Sequence, residues 1–131
     1  MKIVNKELRE RFGGRGLCEY CGLPCSWRSC HHIVSRGAGG PDIAVNLIAL
    51  GDFFLNECMC HARFHSGEIG SGELLDIVAK REGVKVASIR DVINLIRRLP
   101  KKPSKKHIFT AIMELPEASR FLAMRELAEE L

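Results

Sequence analysis

All six cysteines and four of the five histidines of this 131-residue chain lie between positions 18 and 65. Cysteines at short spacing beside histidines become either bridges or metal ligands, and the compartment decides between them. Six cysteines in 131 residues fall below the density of a secreted disulfide scaffold. No apolar run approaches the roughly 18 residues of a membrane span, and Met1-Lys2-Ile3-Val4-Asn5 lacks the apolar core of a signal peptide. A cytoplasmic protein with reduced thiols is therefore expected, and its cysteines read as metal ligands. The stretch that carries them is irregular: short runs at 17–20, 30–34 and 46–50 are broken by glycine and proline, enough for two or three strands but not for an independent sheet. A bound metal supplies the folding energy that such a module lacks.

Composition sets the outer limits. With 46% hydrophobic and 27% charged residues, the chain is neither disordered nor fibrous. A chain of this size buries roughly two thirds of its unfolded surface, which is one modest core. The expected class is α+β, with a metal-stabilised module over 1–70 and a helical region over 71–131 packed on it. Asn5 is placed to cap a short helix that Gly13 and Gly14 end, and a brief helix is expected over 57–66. Beyond 70 the apolar period is helical. Leu74, Leu75, Val78 and Ala79 share a face before Gly83. Ser88 and Asp91 resemble a capping box at the head of a helix with Ile89, Val92, Ile93 and Ile96 at helical spacing, which Pro100 stops. Ser104 caps a third helix carrying Ile108, Phe109, Ile112 and Met113. Pro116 either begins a fourth helix or kinks the third, and Phe121, Met124, Leu127, Ala128 and Leu131 fall toward one side of that last segment.

The formal net charge is only +4, but it is unevenly spread. Residues 80–107 hold ten basic side chains, Lys101, Lys102, Lys105 and Lys106 among them, against two acids; residues 108–131 hold two basic against five acidic. Such a band suits a phosphate backbone, and it equally suits a solvated helix face.

Cys18-Glu19-Tyr20-Cys21-Gly22 is a Cys-x2-Cys knuckle, one tight turn that offers two thiolates to a tetrahedral ion whose other ligands come from a separate turn or helix start. Cys58 and Cys60 are the available partners for a structural zinc. Their Cys-x-Cys spacing is tighter than usual, which leaves Cys25 or Cys30 open as the fourth ligand. The bland alternative is a buried thiol pair. If 31–34 is a strand, His31 and His32 point to opposite faces and must have different roles. On a helix, His61 and His65 at i and i+4 can chelate one ion, and one strand histidine would complete a three-nitrogen site with open positions. The other is then free to take a proton from water. Trp27 and Tyr20 read as packing against the zinc module rather than as stacking platforms. His107 reads as a solvated helix residue.

In order, the Cys-x2-Cys knuckle, His31-His32-Ile33-Val34, Arg36-Gly37-Ala38-Gly39-Gly40, Asn46-Leu47-Ile48-Ala49-Leu50 and Cys60-His61-Ala62-Arg63-Phe64-His65 resemble the HNH endonucleases, whose active site is a ββα-metal fold. The resemblance covers residues 18–67. It implies a zinc-stabilised ββα-metal module followed by the helical region, and a nuclease that hydrolyses DNA phosphodiesters with one divalent cation (Mg2+, Mn2+, Ni2+ or Zn2+). It makes His32 the general base, and His31, His61 and His65 the ligands of the catalytic ion. It also makes Asn46 the residue that holds the loop between the strands and so orients His32. Arg36 and Arg63, near the ligands in sequence, are candidates for holding the phosphate. The chain departs from the family where residues 51–56 are inserted after the strand, at a point where a cysteine often stands. The Phe53-Phe54-Leu55 run of that insertion reads as a loop packed on the helices, with an exposed patch as the alternative.

Two other classes compete with the enzyme. A non-catalytic zinc-stabilised DNA-binding module would keep the cysteines and the basic band but has no need of His31, His32, Asn46, His61 and His65 together. A helical regulatory protein with a zinc clip would not bind DNA at all. The expected partner is DNA and not a membrane. Monomer and homodimer both remain open, as do the recognition sequence and the biological setting, whether phage packaging, restriction or a mobile element.

Overall fold

A computed structural model describes residues 1–52 and 58–131. Phe53, Phe54 and Leu55, and the start of the helix expected from Glu57, lie outside the described residues. The fold is mixed α+β, with a three-stranded antiparallel sheet and, among the described residues, six α-helices. Helix α1 (Lys6–Arg11) starts where expected, with Asn5 Oδ1 accepting from the Leu8 amide at 3.0 Å. The strands are β1 (Gly14–Leu17), β2 (Pro24–His32) and β3 (Leu47–Gly51), in the order β1-β2-β3.

The first strand lies earlier than the 17–20 run suggests. From Cys18 onward the backbone turns, and the Gly22 amide donates to the Cys18 carbonyl at 2.9 Å to close the knuckle. β2 is longer than the 30–34 run and ends at His32, with His31 opposite Ile48 and His32 opposite Leu47 in β3. Every residue of β3 is buried, as expected of an apolar strand covered on both sides.

Helix α2 (Cys60–His65) packs on β3, so β2, β3 and α2 form an arrangement consistent with the ββα-metal fold. Four helices follow: α3 (Ser71–Glu82), α4 (Val86–Arg98), α5 (Lys105–Met113) and α6 (Glu117–Glu126). One continuous core runs from Cys18 and Ile48 through Leu74, Ile89 and Ile96 to Ile112 and Leu122. No helix in the described residues is long and apolar enough to cross a membrane.

Two helical expectations need correction. α4 begins before Ser88, which lies buried inside the helix, so Ser88 and Asp91 are not a capping box. They face α6 instead: Ser119 Oγ donates to Asp91 Oδ2 at 2.7 Å and lies 3.1 Å from Ser88 Oγ. Pro116 does begin a fourth helix, but its buried face is Ser119, Leu122 and Ala123, continuing to Leu127. Phe121 is 75% exposed and Met124 is also exposed. Ser119, at the helical spacing of that face, is buried because its hydroxyl finds partners on α4.

Candidate active site and metal centre

Cys18, Cys21, Cys58 and Cys60 present their sulfurs within 4.8 Å of one another. Tetrahedral ligation at a Zn–S distance of about 2.3 Å calls for sulfurs about 3.8 Å apart, so the cluster fits such an ion with small adjustment. Cys25 and Cys30 are not in this set, and the fourth position falls to Cys58, despite the insertion before it. Burial raises the Cys18 thiol, but amide hydrogen bonds from Cys21 and Gly51, the Cys58 side chain and the Tyr20 amide outweigh it and bring the group down to about 7. Burial holds Cys21, Cys58 and Cys60 up, and at Cys60 the neighbouring Cys58 and the charge on Cys18 add to it. Four thiols of which one ionises readily form a site that could hold a soft dication, whose charge would offset the mutual repulsion of the thiolates. Cys30 stands apart, pushed by burial to about 11.

A second cluster joins β2 to α2. Ring nitrogens of His31, His61 and His65 also lie within 4.8 Å of one another, with His61 Nε2 and His65 Nε2 3.0 Å apart. His31 is only 8% exposed, and Phe64 of α2 packs edge-on against it at 4.3 Å between ring centres. Among the described residues, its Nε2 is buried without a hydrogen-bond partner. Desolvation, reinforced by the charges of His61, His65 and His32, lowers His31 to about 4, so at neutral pH its ring is uncharged and able to serve as a nitrogen ligand. A buried orphan nitrogen beside two facing imidazoles fits a divalent ion. Asp52, which no spacing in the sequence singles out, orients this cluster. Its Oδ2 lies 3.3 Å from His61 Nδ1 and also accepts from Ser29 Oγ, leaving His61 Nε2 toward the other histidines.

His32 is on the opposite face of β2 from His31, as strand alternation requires, and lies outside the three-histidine cluster. Its Nε2 meets Asp42 Oδ1 at 2.7 Å. Asn46 is fully buried and ties the loop between the strands: its Oδ1 accepts from the Val34 amide at 2.8 Å, and its Nδ2 donates to the Val34 and Pro41 carbonyls at 3.0 and 2.9 Å. That folding brings Gly40 so close to Val34 that a Cβ would stand 1.7 Å from the Val34 carbonyl oxygen. The glycine there is a steric requirement.

His32 and His61 open into one cleft of about 630 Å3, shared with Lys6, Arg9, Arg28 and Arg36. Trp27 also lines it and is 57% exposed, which corrects the expectation that it packs against the zinc module. Tyr20 is half-buried against the core, and its hydroxyl donates to Glu73 Oε1 at 3.1 Å. The two arginines near the ligands separate. Arg36 borders the cleft, whereas Arg63 pairs with Glu68 at 2.8 Å and lies over the Tyr20 ring. Lys101, Lys102, Lys105 and Lys106 are exposed where α4 passes to α5. Arg81 is not part of that surface, because its guanidinium is engaged by Glu19, the Leu47 carbonyl and the Ala44 carbonyl.

Compared with known proteins, residues 18–50 match the HNH endonuclease family model. No curated protein and no solved structure matches the chain. The matched segment carries Cys18, Cys21, His31, His32 and Asn46 and stops one residue short of the end of β3. Residues 18–50 are thus similar to an HNH segment. The match supports a nuclease or nucleic-acid-binding function, with a cysteine cluster able to hold a metal such as zinc.

Proposed function

We propose that this chain is an HNH endonuclease that hydrolyses DNA phosphodiester bonds using water activated by His32. In this reading His31, His61 and His65 hold one divalent cation, and Cys18, Cys21, Cys58 and Cys60 hold a structural zinc. The observation that carries the proposal is that His32 and His61, one member of the three-histidine cluster, border the same cleft with Lys6, Arg28 and Arg36, which supports a proton acceptor and a metal ligand acting on one phosphate. When bound, a divalent ion in that cluster supplies charge stabilisation to the phosphoryl group and the departing 3′ oxygen. His32 accepts the proton of the attacking water as general base. Lys6 and Arg36 attract the phosphate, and the lysines at 101, 102, 105 and 106 extend the contact to neighbouring phosphates. The products are 5′-phosphate and 3′-hydroxyl ends. Residues 71–131 form the helical platform on which this module rests.

The test is plasmid cleavage by metal-stripped, zinc-repleted protein after addition of Mg2+, Mn2+, Ni2+ or excess Zn2+, with His32→Ala compared at matched zinc content. Cleavage by the native protein and a loss of about 100-fold or more in the variant is expected. Equal cleavage by both would remove His32 from the reaction. Salt-sensitive DNA binding without cleavage at any ion would make the chain a non-catalytic zinc-stabilised binding module.

A further inference from the structure

His32 needs a lone pair pointed at water, and an imidazole has that lone pair on only one of its two nitrogens in the neutral form. Nothing in the identity of His32 decides which. Asp42 bears directly on the choice. It is 2% exposed, and both of its carboxylate oxygens are occupied: Oδ1 lies 2.7 Å from His32 Nε2, while Oδ2 accepts from the Asn5 amide at 2.8 Å and lies 2.9 Å from Arg9 Nε. An ionised carboxylate only accepts hydrogen bonds, so the proton in the Asp42–His32 contact belongs to Nε2.

We propose that Asp42 is a positioning residue that fixes His32 as the Nε2–H tautomer, leaving Nδ1 as the proton acceptor, and that α1 holds Asp42 in place through the Asn5 amide and Arg9. This rests on the reading of His32 as the base. Asn46 contributes at one remove, since its bond to the Pro41 carbonyl pins the residue before Asp42. The Asp42 amide donates to the Ile3 carbonyl at 3.0 Å, a third tie to the N-terminal segment. Burial alone would push the Asp42 carboxyl up, yet hydrogen bonds from His32 and the Asn5 amide, with the charge of Arg9, bring it below the usual carboxylate range. It stays ionised at neutral pH and continues to accept. Residues 5–9 lie outside the matched HNH segment, so part of what prepares the base comes from chain that the family motif does not include.

Asp42→Asn tests this without changing the shape of the site. The amide oxygen remains with the Asn5 amide and Arg9, which turns the NH2 group toward His32. Nε2 must then become the acceptor, and the ring proton moves to Nδ1. Long-range 1H–15N spectra of 15N-histidine-labelled, zinc-containing protein read the tautomer, and cleavage kinetics are measured on the same samples. The expected result is Nε2–H at His32 in the native protein, Nδ1–H in the variant, and a fall in kcat of about 100-fold or more with KM within a few-fold. Where an isosteric Asp→Asn exchange imposes the wrong tautomer on a histidine base, the loss reaches about 10^4-fold.

Native His32 in the Nδ1–H form overturns the proposal regardless of how the variant folds. A variant with unchanged tautomer overturns it as well, and so does one with changed tautomer and native kcat. If the native protein cuts no DNA with any ion, the nuclease reading fails, and the spectra still decide whether Asp42 sets the His32 tautomer.

Discussion

At the scale of single residues, two neighbours at the end of β3 govern the two clusters separately. Gly51 has no space for a side chain, since a Cβ there would stand 2.4 Å from Cys58 Sγ and 2.7 Å from Cys25 Sγ. Gly51→Ala should displace Cys58, lower the zinc content of purified protein and cost about 1–3 kcal/mol of stability, the usual penalty of overpacking. Metal analysis and denaturant unfolding read both effects. Asp52, the next residue, acts on the other cluster through His61 Nδ1. Asp52→Asn should weaken divalent-ion binding at the histidines by about 10–100-fold and leave the cysteine site loaded, as calorimetric titration of zinc-containing protein would show. An unchanged affinity would mean that the carboxylate does not orient the ligand. The two clusters and His32 are legible in the sequence because spacing marks their residues: Cys-x2-Cys, two histidines at i and i+4, two histidines on opposite faces of a strand. Asp42 and Asp52 are not, because a lone carboxylate in a loop carries no periodic signature and acquires its partner only when the chain folds.

At the scale of elements, the helices announce their existence more clearly than their faces. Asn5, Ser104 and Pro116 mark helix starts through local chemistry that needs no tertiary partner. The face of α6 is misleading in the sequence because two stripes share Leu127. The more apolar one, with Phe121 and Met124, is left outside, while the one with Ser119 is buried against α4. Charge runs mislead in the same way. Arg81 belongs by sequence to the basic band, yet it joins α3 to the knuckle through Glu19 at 2.8 Å and to the 44–47 segment through two carbonyls, and it stacks 4.8 Å from the Phe12 ring. Arg81→Ala leaves these acceptors unpaired and should cost about 2–4 kcal/mol, with the salt dependence of DNA binding unchanged. Paired replacement of Lys101 and Lys102 by alanine should do the reverse, leaving unfolding unaffected and reducing the slope of log affinity against log salt by about one for each phosphate that is no longer neutralised. Binding isotherms at several salt concentrations, beside thermal melts, separate a clamp from a contact surface. Equal salt slopes for all variants would place the DNA surface elsewhere.

At the scale of the whole molecule, the two clusters are mechanically one device. Cys60 is the first residue of α2 and His61 the second, and α2 has only six residues with no side-chain cap at its start. A helix so short gains little from its own hydrogen bonds, so its placement depends on what anchors its ends. The cysteine cluster anchors one end to the knuckle beside β1, and Phe64 with the histidines anchors the other to β2. Release of an ion held by the four cysteines would therefore free the helix that carries two of the three clustered histidines, even though no cysteine belongs to the histidine cluster. Stripping the protein with a zinc chelator under reducing conditions should lower the melting temperature and abolish cleavage, and Mg2+ or Mn2+ alone should fail to restore it. Restoring one equivalent of Zn2+ first, then Mg2+ or Mn2+, should recover both stability and activity. Recovery by Mg2+ or Mn2+ without zinc would show that α2 holds its place unaided and that the two sites are independent. Core packing also spans both ends of the chain, from Cys18 to Leu127, so partial unfolding of the module should be felt in α3–α6 as a lower but still cooperative transition. Circular dichroism at the helical band, followed through the same chelation and repletion series, would detect that coupling independently of any nuclease activity.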